Sequence, residues 1–411
     1  MKRIAYIFSI VCMALGFAAC EKDDVAKNYI LTVDVQLPEG VQLADITSAE
    51  IVVTNEQTGA QYTSEGVVAS YQFTVPGARY NVTAAYRAND GGSVVSYNGA
   101  KNGIDVFADQ AVTVELASGV TGGLVIKEIY YGMCKPNGKA PYMRDQFWEI
   151  YNNSDEVLYL DNCVLGMLEG SQGVRPTQWV ENGEIMKEYA MGYYTVAFKG
   201  DGSGKTFPLE PGKSVVVANQ AQNHTKETEA AYDPSVSGAM QSPVDLTNAD
   251  FEVCLSDYKP LVAIDNQDVP NMTVIAAQGT QNYWTLPYTG NAVIIAKLPE
   301  GVDPVAYGQD EANFKEMPGS GVATKYLMIP QEYVLDGINI VNHDPGKRQI
   351  RLRSEVDAGS IWLTAAYTGK SLRRKVDHVE ADGRVVYVDT NNSANDFLSD
   401  QVPAPGVIAA E

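Results

Sequence analysis

The sequence predicts an all-β protein with two β-sandwiches, a smaller one followed by a larger one. The chain has 411 residues, enough for two or three domains. Its 36 glycines, 19 prolines and 24 tyrosines are spread along its length, and long charged helix-like runs are absent. Short stretches of alternating polar and apolar residues recur between turn residues. This pattern is typical of many short strands joined by turns.

Composition narrows the class of protein further. Hydrophobic residues make up 45% of the chain and charged residues 20%, an ordinary balance for a globular protein. The formal net charge is −21. Nucleic acid is therefore disfavoured as a partner, because neutralising phosphates requires a basic face.

The N-terminal segment has the pattern of a secretory signal peptide over residues 1–19. Lys2 and Arg3 precede an apolar run at 4–16, and the small residues Ala18 and Ala19 follow it. The run is shorter than the roughly 20 residues that a membrane-spanning helix needs. We therefore expect an exported chain.

Cys20 directly follows the two small residues and resembles the cysteine of the bacterial lipobox. The resemblance implies an acylated Cys20 (a palmitate-type anchor), a tether at 20–28 and attachment to the outer membrane. Two acyl chains anchor a protein stably. The acidic run at 21–24 resembles the export signal of Bacteroidota surface lipoproteins, which implies exposure on the cell exterior. A soluble secreted protein, or an inward-facing lipoprotein, remains the alternative.

Residues 29–117 are predicted to form the first β-sandwich. Polar and apolar residues alternate regularly at 29–37, and further strands are predicted at 49–55, 71–75, 80–87, 93–97 and 111–116. Turns are predicted at Pro76-Gly77 and Asn98-Gly99. Strands at this spacing favour a sandwich. Their order resembles immunoglobulin-like or transthyretin-like accessory domains of bacterial surface proteins. The flexible run SGVTGG at 118–123 marks the boundary.

Residues 122–405 are predicted to form the second, larger domain. IKEI at 126–129 and FWEIYN at 147–152 resemble the opening strands of a lamin-tail domain. That family has an immunoglobulin-like sandwich. Segments at about 170–205 and 220–340 do not match and are predicted to be long insertions. The whole layout resembles an uncharacterised family of Bacteroidota surface lipoproteins, a domain of unknown function, which implies location and fold but no activity.

The insertions carry the candidate ligand-binding residues, because loops often carry binding. The candidates share an aromatic ring and are Trp179, Tyr193, Tyr194, Tyr283, Trp284 and Tyr288. Such rings either seal the insertions onto the core or form a surface that stacks on sugars or on a partner protein.

A weak calcium candidate lies near the C-terminus. Asp389, Asn391, Ser393, Asn395 and Asp400 have the oxygen spacing of a calcium loop. Ala394 occupies the position that needs glycine, so an Asx-rich turn is the alternative reading.

Other chemistry has little support in the sequence. The zinc motif H-E-x-x-H and the nucleophile motif G-x-S-x-G are both absent. After Cys20 only Cys134, Cys163 and Cys254 remain, so at most one disulfide forms, and whether Cys134 pairs with Cys163 stays open.

We therefore predict a non-catalytic lipoprotein with a binding or assembly role toward a glycan, a protein ligand or an outer-membrane barrel. The first alternative is a surface polysaccharide hydrolase, and the second is a structural spacer. Glu128 and Glu149 interrupt apolar strands. We interpret them as structural carboxylates rather than as a catalytic pair.

Overall fold

A computed structural model describes residues 27–90, 93–119, 123–170 and 174–408, without the side chains of 89, 90, 93 and 94. The predicted signal peptide at 1–19, Cys20 with its predicted lipid anchor, and most of the predicted tether at 20–28 lie outside the described residues. The chain divides into two compact units, Met1–Ala117 and Ser118–Glu411.

The first unit consists of short and long strands with one 3₁₀ turn at Leu43–Asp45. The strands are β1 (Asn28–Gln36), β2 (Ile46–Asn55), β3 (Gln61–Glu65), β4 (Ser70–Pro76), β5 (Ala78–Asp90), β6 (Ser93–Val106), β7 (Gln110–Glu115) and β8 (Ala117–Ser118). One sheet has the order β4-β1-β7 and the other β3-β2-β5-β6-β8. β1 pairs antiparallel with β4 and parallel with β7.

Alternation along the strands builds the core of this unit. In β1, Leu31 and Val33 are buried, and their sequence neighbours are more exposed. β4 alternates in the same way, with Tyr71 and Phe73 facing inward. Period-2 burial is expected when each sheet packs one face on a core and leaves the other face to water.

The predicted turn at Asn98-Gly99 is wrong, because β6 runs through both residues. Asn98 is fully buried. A Cβ atom on Gly99 would lie 2.3 Å from the carbonyl oxygen of Glu115. The glycine therefore serves a close approach of two backbones rather than a turn.

The second unit has twenty further strands and four short helices among its described residues. The strands are β9 (Leu124–Tyr130), β10 (Phe147–Asn152), β11 (Leu158–Tyr159), β12 (Cys163–Met167), β13 (Val180–Glu181), β14 (Glu184–Ile185), β15 (Glu188–Ala190), β16 (Tyr194–Ala197), β17 (Pro208–Leu209), β18 (Ser214–Ala218), β19 (Phe251–Glu252), β20 (Thr273–Ala277), β21 (Val293–Lys297), β22 (Phe314–Glu316), β23 (Lys325–Pro330), β24 (Val334–Ile338), β25 (Ser371–Arg374), β26 (Val376–Val379), β27 (Val385–Tyr387) and β28 (Phe397–Gln401). The helices are α1 (His224–Glu229), α2 (Pro304–Gln309), α3 (Ser354–Asp357) and α4 (Ser393–Asp396).

Two sheets enclose the main core of this unit. The six-stranded sheet has the order β19-β18-β10-β9-β25-β28, and the five-stranded sheet has the order β20-β16-β12-β21-β24. The core cluster takes Ile126 and Ile150 from the first sheet and Leu165 and Ile295 from the second. The all-β sandwich class predicted from the sequence is confirmed. No described helix has the length and apolar content needed to cross a membrane.

The segments predicted to be insertions are integral to this sandwich. Four of the five strands in the five-stranded sheet, β16, β20, β21 and β24, come from 170–205 and 220–340. The main core takes Val196 and Val293 from these strands. The family resemblance did not extend to these segments, and their short strands were therefore missed.

Strands β9 and β10 are buried along their whole length. Their inward residues pack in the main core, and the other face is covered in part by the hairpin β26–β27. Tyr151 in β10 stacks edge-on with Tyr387 in β27 at 4.8 Å between ring centroids. Its hydroxyl donates to the carbonyl of Val385. Burial on both faces explains why these strands read as nearly continuous apolar runs.

The three cysteines of the described residues carry free thiols. Cys134 and Cys163 therefore do not pair with each other. Burial raises the pKa of both thiols. A raised pKa keeps a thiol protonated and unreactive, so these cysteines act as packing residues.

Candidate functional site

The best-defined aromatic site lies at one edge of the main core, and we call it the aromatic pocket. It is lined by Trp148, Met167, Tyr193, Tyr194, Trp284 and Leu286, among others. About 10 Å³ is open to the centre of a water molecule. The pocket therefore admits one small group, and a larger ligand would lie across its mouth.

The rings of the pocket are packed against one another. Trp148 and Trp284 lie 5.0 Å apart between ring centroids, at an interplanar angle of 37°. Tyr194 and the exposed Tyr258 meet edge-on at 5.7 Å. The Tyr194 hydroxyl donates to the carbonyl of Gln281 at 2.7 Å. Packed rings with a polar handle give a rigid aromatic surface.

Two buried amide side chains hold the loop that carries Trp284. Gln146 accepts a hydrogen bond from the Leu286 backbone N–H at 2.7 Å and donates to its carbonyl at 3.0 Å. Asn219 accepts from the Trp284 N–H at 3.2 Å. Buried amides with satisfied partners rigidify what they hold. Sequence reasoning missed both residues, because isolated amides have no characteristic spacing.

Tyr193 lies at the mouth of this pocket with a strained backbone. Its φ is 45°, in the left-handed region that non-glycine residues avoid. The preceding Gly192 is packed too tightly for a side chain, since a Cβ there would lie 2.7 Å from the Leu168 carbonyl oxygen. Tyr193 itself is half-buried. Strain of this kind is often found at binding sites.

The structure brings together three of the six predicted aromatics. Tyr193, Tyr194 and Trp284 line one pocket. The other three lie elsewhere: Trp179 stacks with Tyr326, Tyr283 lies near Arg144, and Tyr288 stacks with Tyr367.

Burial corrects part of that prediction. Trp179, Tyr194 and Trp284 are only 3–5% exposed and pack in core clusters. They are not flat stacking platforms. Tyr288 is 41% exposed.

The structure does not support the predicted calcium loop, because its side chains have other partners. Asp389 pairs with Arg374 at 3.2 Å. Ser393 donates its hydroxyl to Asp357. The remaining candidates are a buried Asn391, a half-buried Asn395, and Asp400, which accepts from the Thr364 N–H. No group of three or more His, Cys, Asp or Glu side chains suited to a metal occurs among the described residues.

Glu128 and Glu149 lie opposite each other on β9 and β10 and are fully buried. Lys127 Nζ lies 2.8 Å from Glu149, and Arg373 Nε lies 3.2 Å from Glu128. Burial raises the pKa of Glu149, and Lys127 opposes this effect.

Backbone groups near the C-terminus complete the surroundings of both carboxylates. Ala404 and Gly406 donate their N–H groups to Glu128 and Glu149, each at 3.2 Å. Two carboxylates that are paired and shut off from solvent are not arranged as the acid and nucleophile of a glycosidase.

Comparison with known proteins finds one matching family model and similarity to solved structures. Residues 210–404 match the family described as protein of unknown function (DUF4876). A crystal structure of a DUF4876 family protein from Bacteroides thetaiotaomicron VPI-5482 has a TM-score of 0.60 and 27% sequence identity, and the match covers 93% of this chain and 98% of that one. No catalytic family is indicated.

A second solved structure is that of a candidate adhesin from Bacteroides ovatus ATCC 8483. Its TM-score is 0.19 and its sequence identity 13%, with 45% of this chain and 68% of that chain covered. This likeness is too low to carry an argument about fold or function. No curated protein matches the chain.

Proposed function

We propose that this chain, whose residues 210–404 belong to the uncharacterised Bacteroidota family DUF4876, is a non-catalytic binding protein. The aromatic pocket supports this proposal. It joins a strained, half-buried Tyr193 to the packed and mutually tilted rings of Trp148 and Trp284. A glycan is the first ligand class to test, because sugar rings stack on aromatic faces with little loss of conformational entropy in the rings.

The ligand is expected to lie across the mouth rather than inside the pocket. The space inside suits one small group, such as a hydroxymethyl arm. Tyr193 lines the pocket and is half-buried, so its ring would contact the sugar, and the exposed Tyr258 lies next to Tyr194. Two other partner classes are proposed, a protein ligand and an outer-membrane barrel. Either would contact the same exposed rings.

Binding should be measured with a glycan array followed by calorimetry on the hits. Tyr193→Ala removes the ring at the mouth and should weaken binding about tenfold or more, as truncation of a central aromatic commonly does. Tyr232→Ala is the matched control, because Tyr232 is 38% exposed and lies at the end of α1, outside the pocket. Equal loss in both variants, or unchanged binding in Tyr193→Ala, would exclude the pocket.

We further propose that Cys20 anchors the protein to the outer membrane, facing the cell exterior. The lipobox-like sequence and the acidic run at 21–24 support this. Cys20→Ser should release the protein from the membrane fraction, whereas Cys254→Ser should leave it there. Protease treatment of intact cells should digest the anchored protein; protection from the protease would contradict an outward orientation.

A further inference from the structure

A second small cavity lies beside the segment 168–190, and we call it the Arg351 cavity. Its buried floor includes Trp179, Tyr189 and Arg351, and its half-buried rim includes Glu169, Thr177 and Glu188. About 10 Å³ is open to the centre of a water molecule, room for one group of that size. The cavity is separate from the aromatic pocket and shares no lining residue with it.

Two buried donors line this cavity without a well-aligned acceptor among the described residues. Arg351 is 4% exposed; its Nη2 donates to the Arg175 carbonyl at 2.6 Å, but its Nε has no partner. Trp179 is also 4% exposed, and its Nε1 makes no hydrogen bond of standard geometry. Leaving a buried donor unpaired is costly, so each of these groups favours an acceptor in the cavity that both residues line.

Arg351 is fixed both at its backbone and at its guanidinium. The Arg351 backbone N–H donates to Asn339 Oδ1 at 3.0 Å. Gly170 packs against the guanidinium so closely that a Cβ there would lie 2.6 Å from Arg351 Cζ. Because the donor is already fixed, a ligand would lose little of its binding energy in ordering it.

The charges at the rim select an uncharged ligand. Glu169 lines the same cavity as the two donors. Burial raises the pKa of Glu169, while Arg351 and the Trp179 N–H act in the opposite direction. Glu188 adds a second carboxylate, which pairs with Lys315. An anionic ligand would therefore meet Glu169 as well as Arg351.

A hydroxyl group satisfies all three neighbours at once. It accepts hydrogen bonds from Arg351 Nε and Trp179 Nε1, and it donates its own proton to the Glu169 carboxylate. We propose that the Arg351 cavity binds a hydroxyl group of a neutral saccharide. This assigns a second site, apart from the aromatic pocket, to the ligand class proposed above and restricts it to neutral saccharides; either site can fail experimentally without the other.

The four tryptophans of the chain allow the two sites to be observed separately. Trp179 reports on the Arg351 cavity, Trp148 and Trp284 on the aromatic pocket, and Trp362 lies beneath Arg348 at 3.5 Å. The full chain, labelled with ¹⁵N-tryptophan, should be titrated with neutral xylo-, malto- and manno-oligosaccharides and with charged oligogalacturonides. We expect the Trp179 indole N–H resonance to shift with at least one neutral series and not with the charged one.

Variants assign the signals and test the donors. Trp179→Phe keeps the ring shape and identifies the Trp179 resonance by its loss. Arg351→Lys removes Nε and should weaken the affinity seen at Trp179 about tenfold. Arg348→Lys is the matched control and should leave that affinity unchanged. Should Arg351→Lys fail to fold, the titration of the unaltered chain decides alone.

Three outcomes would overturn the inference. An unmoved Trp179 resonance with every neutral saccharide would mean that the cavity holds only water. Shifts confined to Trp148 and Trp284 would support the aromatic pocket and exclude this second site. A Trp179 shift that is equal or stronger with oligogalacturonides would exclude an uncharged ligand.

Discussion

At the residue scale, His224 shows how burial sets the protonation state of a side chain. It is fully buried at the start of α1. Its Nε2 lies 2.9 Å from the Gln220 carbonyl, and its Nδ1 lies 2.8 Å from the Tyr142 hydroxyl. A carbonyl only accepts, so Nε2 carries the proton and Nδ1 accepts from Tyr142. The site is therefore built for a neutral imidazole.

Burial lowers the pKa of His224 from 6.5 to about 4, and the nearby Arg144 adds to this effect. Between these values the unfolded state binds more protons than the folded state. The stability contributed by neutral His224 is thus fully present above pH 6.5 and is lost as the pH falls toward 4. We expect a loss of about 3 kcal/mol from this residue.

Urea unfolding at pH 7 and pH 4.5 measures this loss. The free energy of unfolding of His224→Gln should fall less over that interval than that of the unaltered protein. The acidic groups titrate in both proteins, so the difference between them comes from His224. If the free energy of unfolding fell by the same amount in the two proteins, the tautomer and the direction of the pKa shift assigned to His224 would be wrong.

The sequence could not predict which individual residues of the candidate sites are buried. The six aromatics were identifiable as a group, but whether each faces water depends on which strand covers it. Trp284 is carried by a loop that Gln146 and Asn219 fix, and Trp179 lines the same cavity as Arg351, which is far away in sequence. No local pattern encodes such distant partners.

At the element scale, the strands of the first unit were predictable because one face of each sheet is exposed to solvent. β1 and β4 alternate with period 2, and their predicted and observed ranges nearly coincide. β9 and β10 were recognisable as apolar runs. The five-stranded sheet was not predicted, because its short strands are separated by long loops and their pairing is non-local.

Strand β6 depends on a glycine at the point where it passes β7. Gly99→Ala would place a methyl group against the fixed carbonyl oxygen of Glu115. We expect a loss of about 2 kcal/mol or more, because the obstacle is backbone and cannot rotate away. Chemical denaturation of the full chain measures it.

Gly77→Ala is the control for this substitution. Its new Cβ would meet the side chains of Tyr29 and Phe107 at 3.1 and 3.2 Å. Phe107 is 63% exposed and can move. A loss as large as that of Gly99→Ala would show that the cost does not arise from the backbone clash.

Strand β25 is tied to its surroundings by one fully buried cation. Arg374 pairs with Asp336, Asp389 and Asp396. Its Nε also donates to the carbonyl of Ile126 in β9 at 3.0 Å. Removing the cation from such a network leaves uncompensated buried charge.

Arg374→Met should therefore cost about 3–5 kcal/mol at pH 8. Burial already raises the pKa of Asp389 to about 7, although Arg374 lowers it. Without the cation, the pKa values of Asp389 and Asp396 should rise further, because Arg374 lowers both. An acid whose pKa is higher in the folded state than in the unfolded state destabilises the fold as the pH rises. The loss should accordingly be smaller at pH 5.

The exposed pair of Lys347 and Asp344 provides the control. Lys347 is 59% exposed at its side chain, and surface pairs contribute little to stability. Lys347→Met should leave the free energy of unfolding nearly unchanged at either pH. A pH-independent loss in Arg374→Met would contradict the protonation argument.

At the scale of the whole molecule, each unit has its own core. The first core takes all its members from residues up to 117, and the main core of the second takes all its members from residues 124–397. A unit with a complete core can unfold cooperatively by itself. We therefore expect two transitions in differential scanning calorimetry of the full chain.

Matched substitutions assign these transitions. Ile51 in the first core and Ile295 in the second are both fully buried. Replacing either with Ala removes the same atoms and should cost about 2–5 kcal/mol, because a cavity remains. Ile51→Ala should lower one melting temperature by several degrees and leave the other in place, and Ile295→Ala should do the reverse. If either substitution lowered both melting temperatures equally, the units would unfold together and the separate cores would not act as separate cooperative blocks.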